Sequence, residues 1–223
     1  MSRLPAKPLL VAFALAAVAE LVCVAVGSRT GQLLAKPLLM PLLAAYVAAR
    51  GGPRLLVAAL LLGWGGDVFL LVPADAAFLA GMGCFAAGHL CYLTLFGRRR
   101  TRVDLAVGYG LVLAVALALL WPGLPAELRV PVAVYSLLLA AMACRASGLG
   151  PLAGAGGALF LLSDTLIATD VAEWTQPPAA GLWIMLTYLA AQALLTAGVL
   201  RAATGPSPTE GSPTVRTARP VHD

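Results

Sequence analysis

Apolar residues run along this sequence in blocks separated by short Gly-, Pro- or Arg-containing punctuation. The blocks are about 17–20 residues long, the length a helix needs to cross ~30 Å of hydrocarbon. A segment in lipid must satisfy its own backbone N–H and C=O groups, so blocks of this kind are helices. The pattern predicts an all-α polytopic bundle of about eight transmembrane helices, at 9–26, 33–49, 54–72, 77–96, 103–121, 131–147, 151–169 and 180–200. The links are too short to hold a soluble domain. The membrane-embedded domain is therefore 1–204, followed by a polar, Pro- and Thr-containing tail at 205–223 that reads as disordered.

Composition agrees with this pattern. Hydrophobic residues make up 61% of the 223 and charged residues 11%, too few charges to coat a soluble domain of this size. Arg3 and Lys7 before the first block also suggest a signal peptide ending near Ala25-Val26-Gly27. The block is long for that and contains Glu20, which favours a retained first helix. Cys23, Cys84, Cys91 and Cys144 fall inside spans without C-x-x-C spacing, and read as small buried residues, neither disulfide partners nor zinc ligands.

The net charge of +5 raises the question of a nucleic-acid partner, and its distribution answers against one. With eight alternating spans, one side collects Arg3, Lys7, Arg50, Arg54, Arg98, Arg99, Arg100, Arg102, Arg145, Arg201, Arg216 and Arg219. The other keeps Arg29, Lys36 and Arg129. The positive-inside rule places both termini in the cytoplasm and makes the basic residues topology signals at an anionic leaflet.

Polar residues within the spans carry the chemistry. An ionisable side chain in hydrocarbon costs several kcal/mol and is a functional candidate by default. Five such residues occur: Glu20, Lys36, Asp67, His89 and Asp164. In the assigned orientation, Glu20, Asp67, Asp164 and Lys36 lie within roughly 5–9 Å of the outer interface, at 1.5 Å per residue. Tyr135 joins the same layer. His89 lies deeper, with Tyr92 nearly one turn further along its face, and the last span adds Thr187, Tyr188 and Gln192. A polar cleft opening outward and lined by spans 2, 3, 4, 6, 7 and 8 accommodates all of them. Glycines at 63, 65 and 66, at 81, 83 and 88, and at 154, 156 and 157 allow close helix approach around it, and also permit a homodimer.

Two carboxylic acids in a desolvated layer can divide labour, one protonated to donate and one ionised to activate water. Lys36 holds one carboxylate ionised or merely neutralises it in a buried pair, while Tyr135 or His89 orients substrate or relays a proton. With only His89 and His222 in the chain, a His-rich zinc centre is excluded; a carboxylate-bound Mg²⁺ is not. There is no G-x-S-x-G, and Ser163 beside Asp164 has no histidine nearby in sequence.

Lys36-Pro37, Gly66-Asp67-Val68-Phe69-Leu70-Leu71, Phe85 with Gly88-His89 and Tyr92, Tyr135, and Phe160-Leu161-Leu162-Ser163-Asp164 occur in this order between about residues 30 and 200. Together they resemble the YhhN family, which includes the animal lysoplasmalogenases. The resemblance implies an eight-helix membrane hydrolase that splits the vinyl ether bond of lysoplasmalogens to a fatty aldehyde and a glycerophospho-ethanolamine or -choline, with no cofactor and no metal. Carried onto this sequence, it points to Asp67, Asp164 and His89 as catalytic, and to Lys36, Tyr135, Tyr92 and Ser163 as substrate-binding or pKa-tuning. The expected partners are a lysophospholipid or other ether lipid and the bilayer. The Ala-, Gly-, Leu- and Arg-rich composition points to a bacterial inner membrane. The competing expectation is a small-solute or lipid transporter with an intramembrane charged site, whose discontinuous helices belong near mid-membrane.

Overall fold

The computed structural model describes residues 6–97 and 101–204. The expected tail at 205–223 lies outside the described residues, as do Arg3 and the run Arg98 to Arg100. The described chain is all-helical and forms eight long helices: α1 (Ala6–Ala25), α2 (Arg29–Ala49), α3 (Arg54–Phe69), α4 (Asp75–Phe96), α5 (Val103–Leu120), α6 (Ala126–Ala146), α7 (Pro151–Val171) and α8 (Ala180–Thr204). A 3₁₀ turn at Ser147–Leu149 links α6 to α7. Seven of the eight are long and apolar enough to span a bilayer. The exception, α3, has 16 residues, about 24 Å of helix at 1.5 Å per residue. Its last carbonyls are met by the next N–H groups of the chain, Leu70 on Gly66 O, Leu71 on Val68 O and Val72 on Phe69 O; the Arg29 guanidinium donates to Leu71 O just past the helix end, and Pro73 follows.

Local chemistry sets the other boundaries. The Ser28 hydroxyl accepts from Gly31 N–H and caps α2. Pro151 stands in the first turn of α7, where its missing N–H has no intrahelical partner to lose. Gly97, with φ of +62°, ends α4 in a conformation that L side chains rarely adopt. Helix α6 begins at Ala126, earlier than the sequence pattern suggests, and runs through Pro131; prolines inside a membrane helix are tolerated because neighbouring groups meet the freed carbonyl. The same holds for Pro37 and Pro41 in α2.

Three antiparallel pairs, α1–α2, α3–α4 and α7–α8, make the most extensive contacts, and α6 bridges α4 to α7. The core runs between them through Leu39, Met40 and Leu43 of α2, Leu56 and Leu60 of α3, Tyr92 and Phe96 of α4, Phe160 of α7 and Leu195 of α8. Outward-facing positions stay apolar, as at Leu15, Val26, Leu34, Val130 and Leu137, the distribution expected where the surrounding solvent is lipid. Helix α5 is the outlier, with only Leu120 buried. The four cysteines are unpaired and half-buried, less enclosed than the sequence suggests.

Candidate active site

Lys36, Asp67, Tyr135, Ser163, Asp164 and Tyr188 line one cleft, with about 1030 Å³ of empty space when its open mouth is included. Helices α2, α3, α4, α6, α7 and α8 contribute as expected. Helix α5 adds a wall of Val112, Leu113, Ala116, Leu117 and Leu120. The cleft is accordingly mostly apolar, a greasy pocket with a few polar groups, not the polar cleft the sequence suggests. A largely apolar pocket with a few convergent polar groups is the usual form of a small-molecule site.

Depth follows helix by helix. Asp67 is two residues before the end of α3, and Lys36 seven residues after the start of α2. Asp164 is seven residues before the end of α7, about 10 Å along the axis at 1.5 Å per residue, somewhat deeper than the sequence places it. Asp67 is nearly sealed, at 3% exposure, whereas Asp164, Tyr135 and Lys36 are half-buried.

Each aspartate is met by a tyrosine. Tyr188 Oη donates to Asp67 Oδ2 at 2.8 Å. Behind it, Gln192 Nε2 donates to Tyr188 Oη at 3.4 Å, and Tyr92 Oη donates to Gln192 Oε1 at 2.8 Å. Tyr135 Oη donates to Asp164 Oδ2, and His89 Nε2 lies 3.1 Å from the same hydroxyl. Two hydrogen-bonded chains therefore run inward from the cleft, Asp67–Tyr188–Gln192–Tyr92 and Asp164–Tyr135–His89.

The chains differ in kind. A glutamine amide has a fixed donor end and a fixed acceptor end. With its N–H on Tyr188 and its oxygen taking the Tyr92 proton, Tyr188 has its own proton free only for Asp67, so Asp67 Oδ2 is held as an acceptor. An imidazole can present Nε2 as donor or acceptor according to tautomer. The Tyr135 hydroxyl can then point either way, and Asp164 can either receive a proton or give one up. His89 Nδ1 is buried without a hydrogen-bond partner, so this chain ends at the imidazole.

Aromatic rings hold the chains in place. Phe160 meets His89 edge-on at 4.8 Å and Tyr188 at 5.5 Å between centroids, and Phe85 meets Tyr188 at 6.0 Å. Phe85 in turn lies against Gly66, where an added Cβ would fall 2.5 Å from its ring; the glycine before Asp67 is what lets that ring approach.

Among the sequence-predicted residues, Lys36, Asp67, Asp164, Tyr135 and Ser163 come together on the cleft wall. Ser163 is already engaged, its hydroxyl donating to Ile184 O across the α7–α8 contact at 3.1 Å. His89 and Tyr92 stand one and two partners behind the wall. Lys36 has no carboxylate within 4.0 Å among the described residues; its charge acts on Asp67 and on Glu20. Glu20 is fully buried on α1 with both oxygens unpartnered, outside the cleft lining. Tyr188, expected in the cleft without an assigned role, is the donor to Asp67, and the α5 wall is the site component that sequence reasoning did not place there. The polar residues of α5, Asp104 and Tyr109, stand in its first half and give no sign of the wall. Among the described residues, no three His, Cys, Asp or Glu side chains gather as a metal-ligand set.

Comparison with known proteins supplies a relationship for this geometry. The chain is 41% identical to the human lysoplasmalogenase TMEM86B over 152 residues, 68% of this chain and 66% of that protein. It is 38% identical to the rat protein over 168 residues, covering 74% and 71% respectively. It is 35% identical to a lysoplasmalogenase of Mycobacterium tuberculosis over 158 residues, covering 65% and 60%. The aligned region spans about two thirds of the human relative's length. No solved structure matches. The YhhN family model matches residues 31–199, from the first turn of α2 to the last turns of α8 and so across all seven helices that line the cleft; the chain belongs to the YhhN family.

Proposed function

We propose that this multi-pass membrane protein is a lysoplasmalogenase-type hydrolase, with Asp164 as proton donor and Asp67 as the ionised partner in vinyl ether cleavage. The observation that carries this is the pair of aspartates on one mostly apolar cleft, each with its own tyrosine and only one with a reversible chain behind it.

The chemistry needs an acid, a carboxylate and water. Protonated Asp164 delivers its proton to the alkene carbon distant from the ether oxygen. The π electrons form that C–H bond and leave an oxocarbenium ion. The Asp67 carboxylate, fixed as an acceptor by Tyr188, stabilises the cation electrostatically. Water bonds to the cationic carbon and returns a proton to Asp164, giving a hemiacetal. The hemiacetal then collapses: its hydroxyl proton leaves, the glycerol oxygen gains one, and their C–O bond breaks. Fatty aldehyde and the glycerophospho-headgroup are released, and the donor is restored. Tyr135 and His89 position Asp164 and can hold a proton in the interval. Lys36, lining the cleft without a close carboxylate, binds the phosphate of the headgroup. A transporter site would sit on discontinuous helices, whereas α7 runs unbroken through Asp164. The same reading sets the protein in a bacterial inner membrane, which its Ala-, Gly-, Leu- and Arg-rich composition supports, with both termini in the cytoplasm, which the charge asymmetry supports.

The test supplies purified protein in detergent with a lysoplasmalogen and measures free aldehyde, beside Asp67→Asn and Asp164→Asn. Wild type releases aldehyde, and each variant loses about 10²-fold or more in kcat, the usual contribution of a positioned acid or base. A folded wild type that releases none refutes the assignment. Variants that turn over at the wild-type rate refute the mechanism and leave the assignment standing.

A further inference from the structure

A second void, which the reaction scheme leaves unused, shares part of its wall with the cleft. A groove with about 790 Å³ of empty space lies along the lipid side of α5 and α7, and Val112, Ala116, Leu120 and Thr165 line both it and the cleft. We propose that this groove binds the hydrocarbon chain of the substrate, which leaves the cleft between α5 and α7 and lies against lipid. The proposal rests on the lysolipid reading above, in that its occupant is a single long chain attached to a headgroup.

Three observations support it. The wall is loose where the chain would pass. Helix α5 leans mainly on α6 and meets α7 only lightly, and Leu111, Val112, Val115 and Leu119 are each more than half exposed. The groove has few polar groups to offer a ligand. The Thr165 hydroxyl donates to Leu161 O at 2.7 Å and the Thr169 hydroxyl to Leu166 O at 2.8 Å, so both threonines have their hydroxyls occupied by their own helix. The remaining lining is aliphatic, closed at the far end by Trp174, and a ring of that kind favours the membrane interface.

The placement also fits the connectivity of the substrate. In a vinyl ether the hydrocarbon chain begins at the carbon that is protonated. The groove passes Thr165, the residue after Asp164, and follows α5 from Leu120 back to Leu111, away from the interface marked by Trp174. Lys36 lines the cleft but not the groove. A substrate with its phosphate at Lys36 and its chain passing Thr165 toward Leu111 therefore sets its alkene beside Asp164.

The experiment uses purified protein and a series of lysoplasmalogens differing only in alkenyl chain length. Each methylene that gains a place in the groove raises kcat/KM by up to about fourfold, until the groove is full and the value levels off. Val115→Trp, on the groove but not on the cleft wall, makes kcat/KM level off at a shorter chain and leaves short-chain substrates within about twofold of wild type. Leu137→Phe, on the lipid face of α6 away from both voids, keeps the wild-type profile. Equal losses at every chain length in Val115→Trp, or a wild type indifferent to chain length, overturn the proposal. A lysophospholipid carrying a photoreactive group at its chain end tests the groove without turnover. Crosslinks concentrated on α5 at Leu111, Val112 and neighbouring groove residues, and lost in Val115→Trp, support it even if no vinyl ether is cleaved. Crosslinks spread evenly over the lipid-facing helices, as annular lipid would give, overturn it.

Discussion

Tyr135 and Tyr188 each put a hydroxyl on a carboxylate, yet removing them should have different consequences. Tyr188→Phe leaves Asp67 without its donor. A hydrogen bond to a charged group contributes about 1.5–3 kcal/mol, so kcat falls by about 10- to 100-fold, and a kcat measurement with KM near wild type checks it. Tyr135→Phe cuts the path from Asp164 to His89, and the same loss should follow from His89→Gln. Because Tyr135 and His89 act through one chain, the double variant should be little worse than either single one; losses that multiply would show that His89 works by another route. At this scale the gathering of Asp67, Asp164, Lys36 and Tyr135 on one cleft was legible from depth alone, since helix length and alternation fix how far each residue lies from an interface; Glu20, expected in the same layer, lies outside the cleft lining. The pairing of Asp67 with Tyr188 was not. It depends on how α8 is rotated about its axis, and a helix apolar on nearly every side leaves no stripe from which to read that rotation.

Among the elements, α7 and α8 are pressed together at Gly156. A Cβ there would meet Leu195 N at 2.8 Å and Ala191 O at 2.9 Å, backbone atoms that cannot swing aside. Gly156→Ala therefore separates the two helices that carry Ser163–Ile184, Asp164 and Tyr188. Overpacking of this kind costs about 1–3 kcal/mol, to be seen as a lower midpoint of thermal unfolding in detergent with a parallel loss of activity. Gly83→Ala, where nothing lies within 4 Å of the added carbon, should change neither. The sequence presents both glycines as the same small-residue device; only the facing helix distinguishes them. The eight helices themselves were legible because spanning length is a property of one segment at a time. The short α3 was not, since its last turn tightens to Leu71 N–H on Val68 O and Val72 N–H on Phe69 O inside an apolar run that reads as one span. Nor was the role of α5, whose polar residues, Asp104 and Tyr109, stand in its first half, away from the stretch that closes the cleft.

For the molecule as a whole, orientation decides which leaflet presents substrate, and the cations at the two ends of the bundle bear on it unequally. At the sparse end, Arg29 is bound to Leu71 O, and Arg129 donates to Leu124 O and lies 5.9 Å from the centre of the Trp121 ring. These two and Lys36, which faces the cleft, are the cations at that end among the described residues. Lys7, Arg50, Arg54, Arg102 and Arg145 mark the opposite end among the described residues, as does Arg201. By the positive-inside rule we expect that end in the cytoplasm and the end bearing Asp75 outside. In a background with Cys23, Cys84, Cys91 and Cys144 replaced, Asp75→Cys should react with a membrane-impermeant maleimide on intact cells, and Arg54→Cys only after permeabilisation. The measurement reaches beyond topology, because Asp67, Lys36 and Asp164 all lie nearer the Asp75 end of their helices. Labelling as expected sets the cleft to draw its lysolipid from the outer leaflet. The reverse pattern would turn the same residues to the cytoplasmic leaflet, and the substrate would have to come from there.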